Sequence, residues 1–138
     1  MVENIDGLKN FALQNQIDLT IVGPEIPLTL GITDAFEKDG LKIFGPNKEA
    51  SQMEGSKIFT KEFCQEFQIP TAGFAKFNQV EDAKKHVRET NLFPTVIKAD
   101  GLAAGKGVVI AETLEDAEAA LDEMMVDQKF GSAGNNIV

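Results

Sequence analysis

From residue 5 to residue 45 the chain alternates helical and strand patterns with short connections, and few folds accept that rhythm. Residues 5 to 16, "IDGLKNFALQNQ", put Ile5, Leu8, Phe11 and Ala12 on one helical face. "DLTIV" follows as a strand and breaks at "GPEIP". "LTLGITDAFEKDG" is a second apolar-periodic helix, closed by Gly40 where a helix C-terminus favours glycine. The strand "LKIFG" comes next. Strands separated by helices lie parallel, which predicts an α/β layer. Ligands in such layers sit off the carboxyl ends of the strands, where "GPE" at 23 to 25 and "GP" at 45 to 46 fall.

Beyond "PNKEASQMEGSK" a helix rich in phenylalanine runs to about Gln68, and from Ile69 the character changes. "IPTAGFAKF" reads as extended, and Asn78 opens a helix with Glu81 at the capping-box spacing. "FPTVIKAD" and "GVVIAE" are strands joined by a glycine loop. Thr113 with Asp116 repeats the capping-box signature ahead of the amphipathic "LEDAEAALDEMM". The tail "KFGSAGNNIV" turns apolar at its last two residues, as a strand would. This part predicts a compact α+β unit.

Several functions are disfavoured. The net charge of −9, with lysines scattered, argues against a nucleic-acid surface. No apolar run reaches the roughly 18 residues of a membrane span, and Glu3 and Asp6 interrupt any signal-peptide pattern. A cytoplasmic location without membrane partners is the expectation. One cysteine, Cys64, allows neither an intramolecular disulfide nor a cysteine metal cluster; its spacing with Ile58, Phe59, Phe63 and Phe67 predicts a buried small hydrophobe rather than a nucleophile. The one histidine, His86, falls on a charged helical face, "AKKHVRE", and is expected in solvent. No Ser-His-Asp or Cys-His constellation is available.

The chemistry concentrates in "VIKADGLAAGKGVVIAE", residues 96 to 112. Lys98 stands in a strand of apolar character, and a lysine there either faces solvent or meets an anion. Residues 101 to 107 carry three glycines, so backbone amides can approach a ligand closely, and Lys106 adds a charge at the tip. A Walker loop needs four residues between its first glycine and Gly-Lys, then Ser or Thr and a helix; here three residues separate Gly101 from Gly105 and a strand follows. No Gly-x-Gly-x-x-Gly occurs either. Two readings stay open on the loop alone: a flexible hairpin, or a strand-loop-strand phosphate cover with a lysine in its first strand.

"TIVGPEIPLTLGITDAF", "IFGPNKEASQMEGSKIFTKEF" and "VIKADGLAAGKGVVIAETLEDAEAAL" together resemble the phosphoribosylamine glycine ligases, the glycinamide ribonucleotide synthetases of the ATP-grasp superfamily. The likeness runs in order over nearly the whole chain. It implies that residues 1–50 are the latter part of a Rossmann-like N-terminal domain. Residues 51–138 would be the start of an ATP-grasp domain, with a small α+β lid at about 71–134. The implied reaction phosphorylates the carboxylate of glycine with ATP, and the amine of 5-phosphoribosylamine then attacks the glycyl phosphate. Glycinamide ribonucleotide, ADP and phosphate result, a step of purine biosynthesis.

Site residues follow from the same resemblance. Lys57 in "EGSK" matches the lysine that approaches the nucleotide phosphates, although alone it reads as an exposed helix lysine. Lys98 matches the strand lysine that contacts ATP, and Gly101, Leu102, Ala103, Ala104, Gly105, Lys106 and Gly107 match the loop over the phosphates. Phosphoryl transfer mainly needs charge stabilisation and positioning, which such groups supply. Pro24 and Glu25 would help form the glycine or phosphoribosylamine site; Glu25 alone reads equally as a solvated turn carboxylate. The family's Gly-x-Gly-Gly-Arg-Glu turn, its Glu-Glu-x-Leu adenine hinge and its Mg2+ ligands have no counterpart in the chain, which resembles an internal portion. No catalytic residue or metal ligand is assigned, and the chain alone is expected to be inactive; the alternative is a non-catalytic nucleotide-binding or interaction fragment.

Overall fold

The computed structural model describes residues 3–103 and 105–138, which separate into two compact units, Met1–Gly55 and Ser56–Val138. The separation falls inside "EGSK".

In the first unit, α1 (Ile5–Gln14) begins where the Asn4 side chain accepts a hydrogen bond from Gly7 N at 2.9 Å. Strands β1 (Thr20–Ile21) and β2 (Ile43–Phe44) pair in parallel, Thr20 opposite Ile43, as the alternation predicts. Between them the single expected helix is two, α2 (Glu25–Leu30) and α3 (Ile32–Lys38). The strand ends before "GPEIP" as expected, and the last three residues of that stretch already belong to α2. Pro27 is tolerated there because a first-turn N–H has no helical acceptor to lose. Gly31, at φ +91°, separates the two helices, a conformation that favours glycine. Gly40 closes α3 at φ +72° as expected. Ala12, Ile32 and Phe36 form the buried core, with Leu8, Val22, Leu28 and Ile43 packed on it. A short helix α4 (Gln52–Gly55) ends the unit.

The second unit starts with α5 (Lys57–Glu66) and continues through α6 (Val80–Thr90), β3 (Thr95–Lys98), β4 (Val108–Ala111) and α7 (Leu114–Leu121). A π-helical turn, Asp122–Val126, and a 3-10 turn, Gly131–Asn135, follow. β3 and β4 are antiparallel, and Ile137 bridges both Phe77 and Ala99, so extended backbone is ordered 77, 137, β3, β4. One face of this layer packs on α6 and α7 through Ala83, Ile97, Ala99, Ala111, Ala117, Leu121 and Met124. Lys84 to Asp122 at 2.7 Å and Arg88 to Glu118 at 2.5 Å tie α6 to the α7 segment, and the Glu118 hydrogen bond holds the Arg88 guanidinium above its ordinary pKa.

Two local expectations are corrected. Asn78 does not cap α6; the N-cap is Gln79, and no side chain caps it, so "NQVE" has the capping-box letters without the geometry. Cys64 is only half-buried, because α5 buries none of its residues within this unit. Its phenylalanines pack on one another instead, Phe63 and Phe67 with ring centroids 4.5 Å apart. His86 is exposed as expected, its ring 5.1 Å from that of Phe77. Among the described residues no helix is long and apolar enough to cross a membrane.

Candidate functional site

Strand alternation decides where Lys98 points. Ile97 and Ala99 are buried toward the helices, so Val96 and Lys98 take the opposite face, where Lys98 pairs with Val108 and Val96 with Ile110. That face is open: Ile110 is 63% exposed and Val96 45%. Lys98 lines a cavity of about 490 Å³ together with Lys61, Phe74, Val96 and Val138. Among the described residues its Nζ has no hydrogen bond or ion pair, whereas Lys61 Nζ donates to Thr71 Oγ1 at 2.7 Å and to Ala72 O at 3.0 Å. Lys61 was not singled out in the sequence; only its place one turn after Lys57 could have drawn attention to it.

The loop after β3 has an ordered neck. Ala99 N donates to Gly107 O at 2.8 Å, and Lys106 N to Ala103 O at 2.9 Å. Gly101 at φ +116° and Gly105 at φ +76° occupy backbone regions that exact a cost from other residues. Gly107 is required differently: a Cβ there would lie 2.7 Å from Ala103 Cβ. Leu102 and Ala103 are half-buried, Gly105 and Lys106 exposed. Ala104, expected in the phosphate loop, lies outside the described residues.

Lys57 joins this loop. As the first residue of α5 it projects Nζ to Gly101 O, 2.9 Å away. Beneath that bond the Asp100 carboxylate accepts from Ser56 Oγ at 3.0 Å and from Ile58 N at 3.0 Å. Lys57 thus reaches the loop within the second unit, whereas, among the described residues, the cavity that Lys98 lines is bordered by Lys61 and not by Lys57 or the loop. Ser56 and Asp100 are the neighbours of this contact that sequence reasoning missed; the serine ahead of the helix was a legible cap signal, but nothing in the spacing linked it to Asp100.

The remaining pair is in the first unit. Pro24 and Glu25 follow β1, and β2 leads into Pro46, so both strand ends contribute here as expected. Glu25 is exposed and lines a cavity of about 240 Å³ with Thr29, Pro46, Ser51 and Glu54. Pro24 lines a different, apolar cavity of about 330 Å³ with Phe11, Leu19 and Ile21.

The strand lysine Lys98, the glycine loop and the helix-start lysine Lys57 all belong to one antiparallel α+β unit. Residues 1–54 match the phosphoribosylglycinamide synthetase N domain and residues 55–138 its ATP-grasp (A) domain, and the chain belongs to the phosphoribosylglycinamide synthetase family. It is 56% identical over 137 residues to the phosphoribosylamine–glycine ligase of Vibrio vulnificus and 55% to that of Escherichia coli. In each case 99% of this chain and 32% of the relative are covered, so the chain spans about a third of the length of these relatives. Among solved structures, the phosphoribosylamine–glycine ligase of Thermotoga maritima superposes with a TM-score of 0.70 at 24% identity, covering 94% of this chain and 31% of that one. The biotin carboxylase domain of Hydrogenobacter thermophilus 2-oxoglutarate carboxylase, solved with ADP, its magnesium salt and bicarbonate, gives 0.76 at 23%, covering 97% and 30%. At these identities the likeness to solved structures is one of fold.

Proposed function

We propose that the chain is part of an enzyme that joins glycine to 5-phosphoribosylamine at the expense of ATP, acting in the cytoplasm on small molecules alone. A glycine carboxylate oxygen attacks the γ-phosphorus and ADP leaves. The amine of phosphoribosylamine then attacks the glycyl carbonyl carbon, and phosphate leaves with the bonding pair as the nitrogen loses a proton. In this reading residues of about 71–134 form the lid, Lys57 and Lys98 neutralise phosphate charge, and the backbone of 101–107 covers it. Pro24 and Glu25 serve the glycine or phosphoribosylamine side.

The observation that supports this most is the bond from Lys57 Nζ to Gly101 O, which gathers the two lysine-bearing motifs at one place. Lys98 adds a positive group whose Nζ is unpaired among the described residues and lines a cavity. Phosphoryl transfer gains mainly from such fixed charges. Mg2+ belongs to this chemistry by family resemblance, yet among the described residues no three His, Cys, Asp or Glu side chains come together to hold a cation. The residues here do not fit the ion, and no step is assigned to it.

The test is formation of glycinamide ribonucleotide by the full-length protein from glycine, 5-phosphoribosylamine and ATP. Lys98→Ala is expected to lower kcat/KM for ATP by about a hundredfold, the scale of removing one preorganised charge donor. Product formation unaffected by that change removes Lys98 from the site. ADP binding without any product favours the non-catalytic reading.

A further inference from the structure

Asp100 lies two residues beyond Lys98 and directly before Gly101, yet its side chain turns toward a different element. Oδ1 accepts from Ile58 N and from Ser56 Oγ, each at 3.0 Å, and Oδ2 lies 3.1 Å from the same hydroxyl. Its own N–H donates to Asn136 O at 2.9 Å. Gly101, the next residue, gives its carbonyl to Lys57 and rests on the 3-10 turn, where a Cβ would meet Ala133 Cβ at 3.2 Å. The carboxylate thus occupies the start of α5, where unpaired N–H groups and the helix dipole favour negative charge. These contacts are part-buried, so they are less screened than a surface pair.

The consequence is geometric. Lys57 is the first residue of α5, so fixing the start of α5 fixes the root of Lys57. Lys98 is the last residue of β3, so Asp100 also fixes how far the two lysine-bearing backbones stand apart. We propose that Asp100 is a positioning residue: docked on Ser56 and the first turn of α5, its carboxylate sets Lys57 in register for a nucleoside diphosphate or triphosphate. Lys57 Nζ donates to the neutral Gly101 carbonyl. A phosphate oxygen is the stronger acceptor, because a bond between two charged groups outweighs one to a carbonyl. Asp100 keeps Lys57 in place during that exchange without touching the nucleotide.

The inference rests on Lys57 as a nucleotide-contacting residue, and a double-mutant cycle separates the two claims. ADP affinity of the full-length protein is measured by calorimetry for the unaltered protein, Lys57→Ala, Asp100→Ala, Asp100→Asn and the double changes. Lys57→Ala and Asp100→Ala are each expected to weaken binding about tenfold, the scale of one charge-assisted hydrogen bond, and together no more than either alone. Asp100→Asn keeps an acceptor for Ile58 N and should restore most of the affinity, leaving about a threefold loss that vanishes in the Lys57→Ala background. It also carries the test if Asp100→Ala does not fold. Multiplicative losses, or undiminished affinity in both Asp100 variants, overturn the positioning role while leaving the nucleotide reading intact. Failure of the unaltered protein to bind ADP overturns the nucleotide reading, and the inference with it.

Discussion

Two helices of the second unit begin with the same chemistry and differ in its reach. At α7, Thr113 Oγ1 accepts from Asp116 N at 3.1 Å, and the Asp116 carboxylate accepts from Thr113 N at 3.2 Å. At α5, Ser56 Oγ accepts from Phe59 N at 3.0 Å, and an aspartate again completes the start. That aspartate is Asp100, 44 residues from Ser56 in the chain. A carboxylate three residues along stabilises one helix. A carboxylate from another element makes the helix start a joint, and here the joint carries the candidate phosphate site.

The comparison can be tested by stability, beginning at the far side of the joint. Gly134 lies where an added Cβ would be 2.0 Å from the Met124 carbonyl oxygen, in the turn that supports Gly101. Gly134→Ala must move backbone and is expected to cost on the order of 4 kcal/mol in urea unfolding. A loss below about 1 kcal/mol would show a support more compliant than described. Asp100→Ala leaves Ile58 N and Ser56 Oγ part-buried without their acceptor and should cost about 2–3 kcal/mol. Thr113→Ala removes a local cap and should cost about 1 kcal/mol. Equal losses at Asp100 and Thr113 would erase the distinction between the two helix starts.

An exposed pair in the first unit supplies the weak end of the scale. Lys9 Nζ lies 2.8 Å from Asp39 Oδ2, and the hydrogen bond from Lys9, then its charge, holds the Asp39 carboxyl below its ordinary 3.8. A group whose folded pKa is depressed contributes its stability above the unfolded value and loses it as pH falls through the folded one. Asp39→Asn is therefore expected to remove a small acid sensitivity below about pH 4 and to change nothing at pH 7 beyond the lost pair. An unchanged acid limb in thermal melts would mean that the pair contributes nothing even at low salt.

Much of this molecule is written in adjacent residues. The helix and strand alternation predicts parallel pairing of β1 with β2, and the Thr113–Asp116 spacing predicts the α7 cap, because each depends on dihedrals and hydrogen bonds within a few positions. Period two along "TVIK" fixes that Lys98 opposes the buried face of Ile97, and glycines at 101 and 105 mark the positive φ of the loop. The same local logic errs where letters repeat without geometry, as at Asn78 and Glu81. It also errs where a helical stripe has no facing layer in its unit, as at Cys64 on α5. Only the tertiary structure decided that Asp100 closes the start of α5, that Lys57 reaches Gly101, and that Ile137 lies between Phe77 and Ala99. Those bonds join residues dozens of positions apart. A hydrogen bond is set by about 3 Å of space, and no spacing in the sequence encodes which distant acceptor the folded chain brings within it.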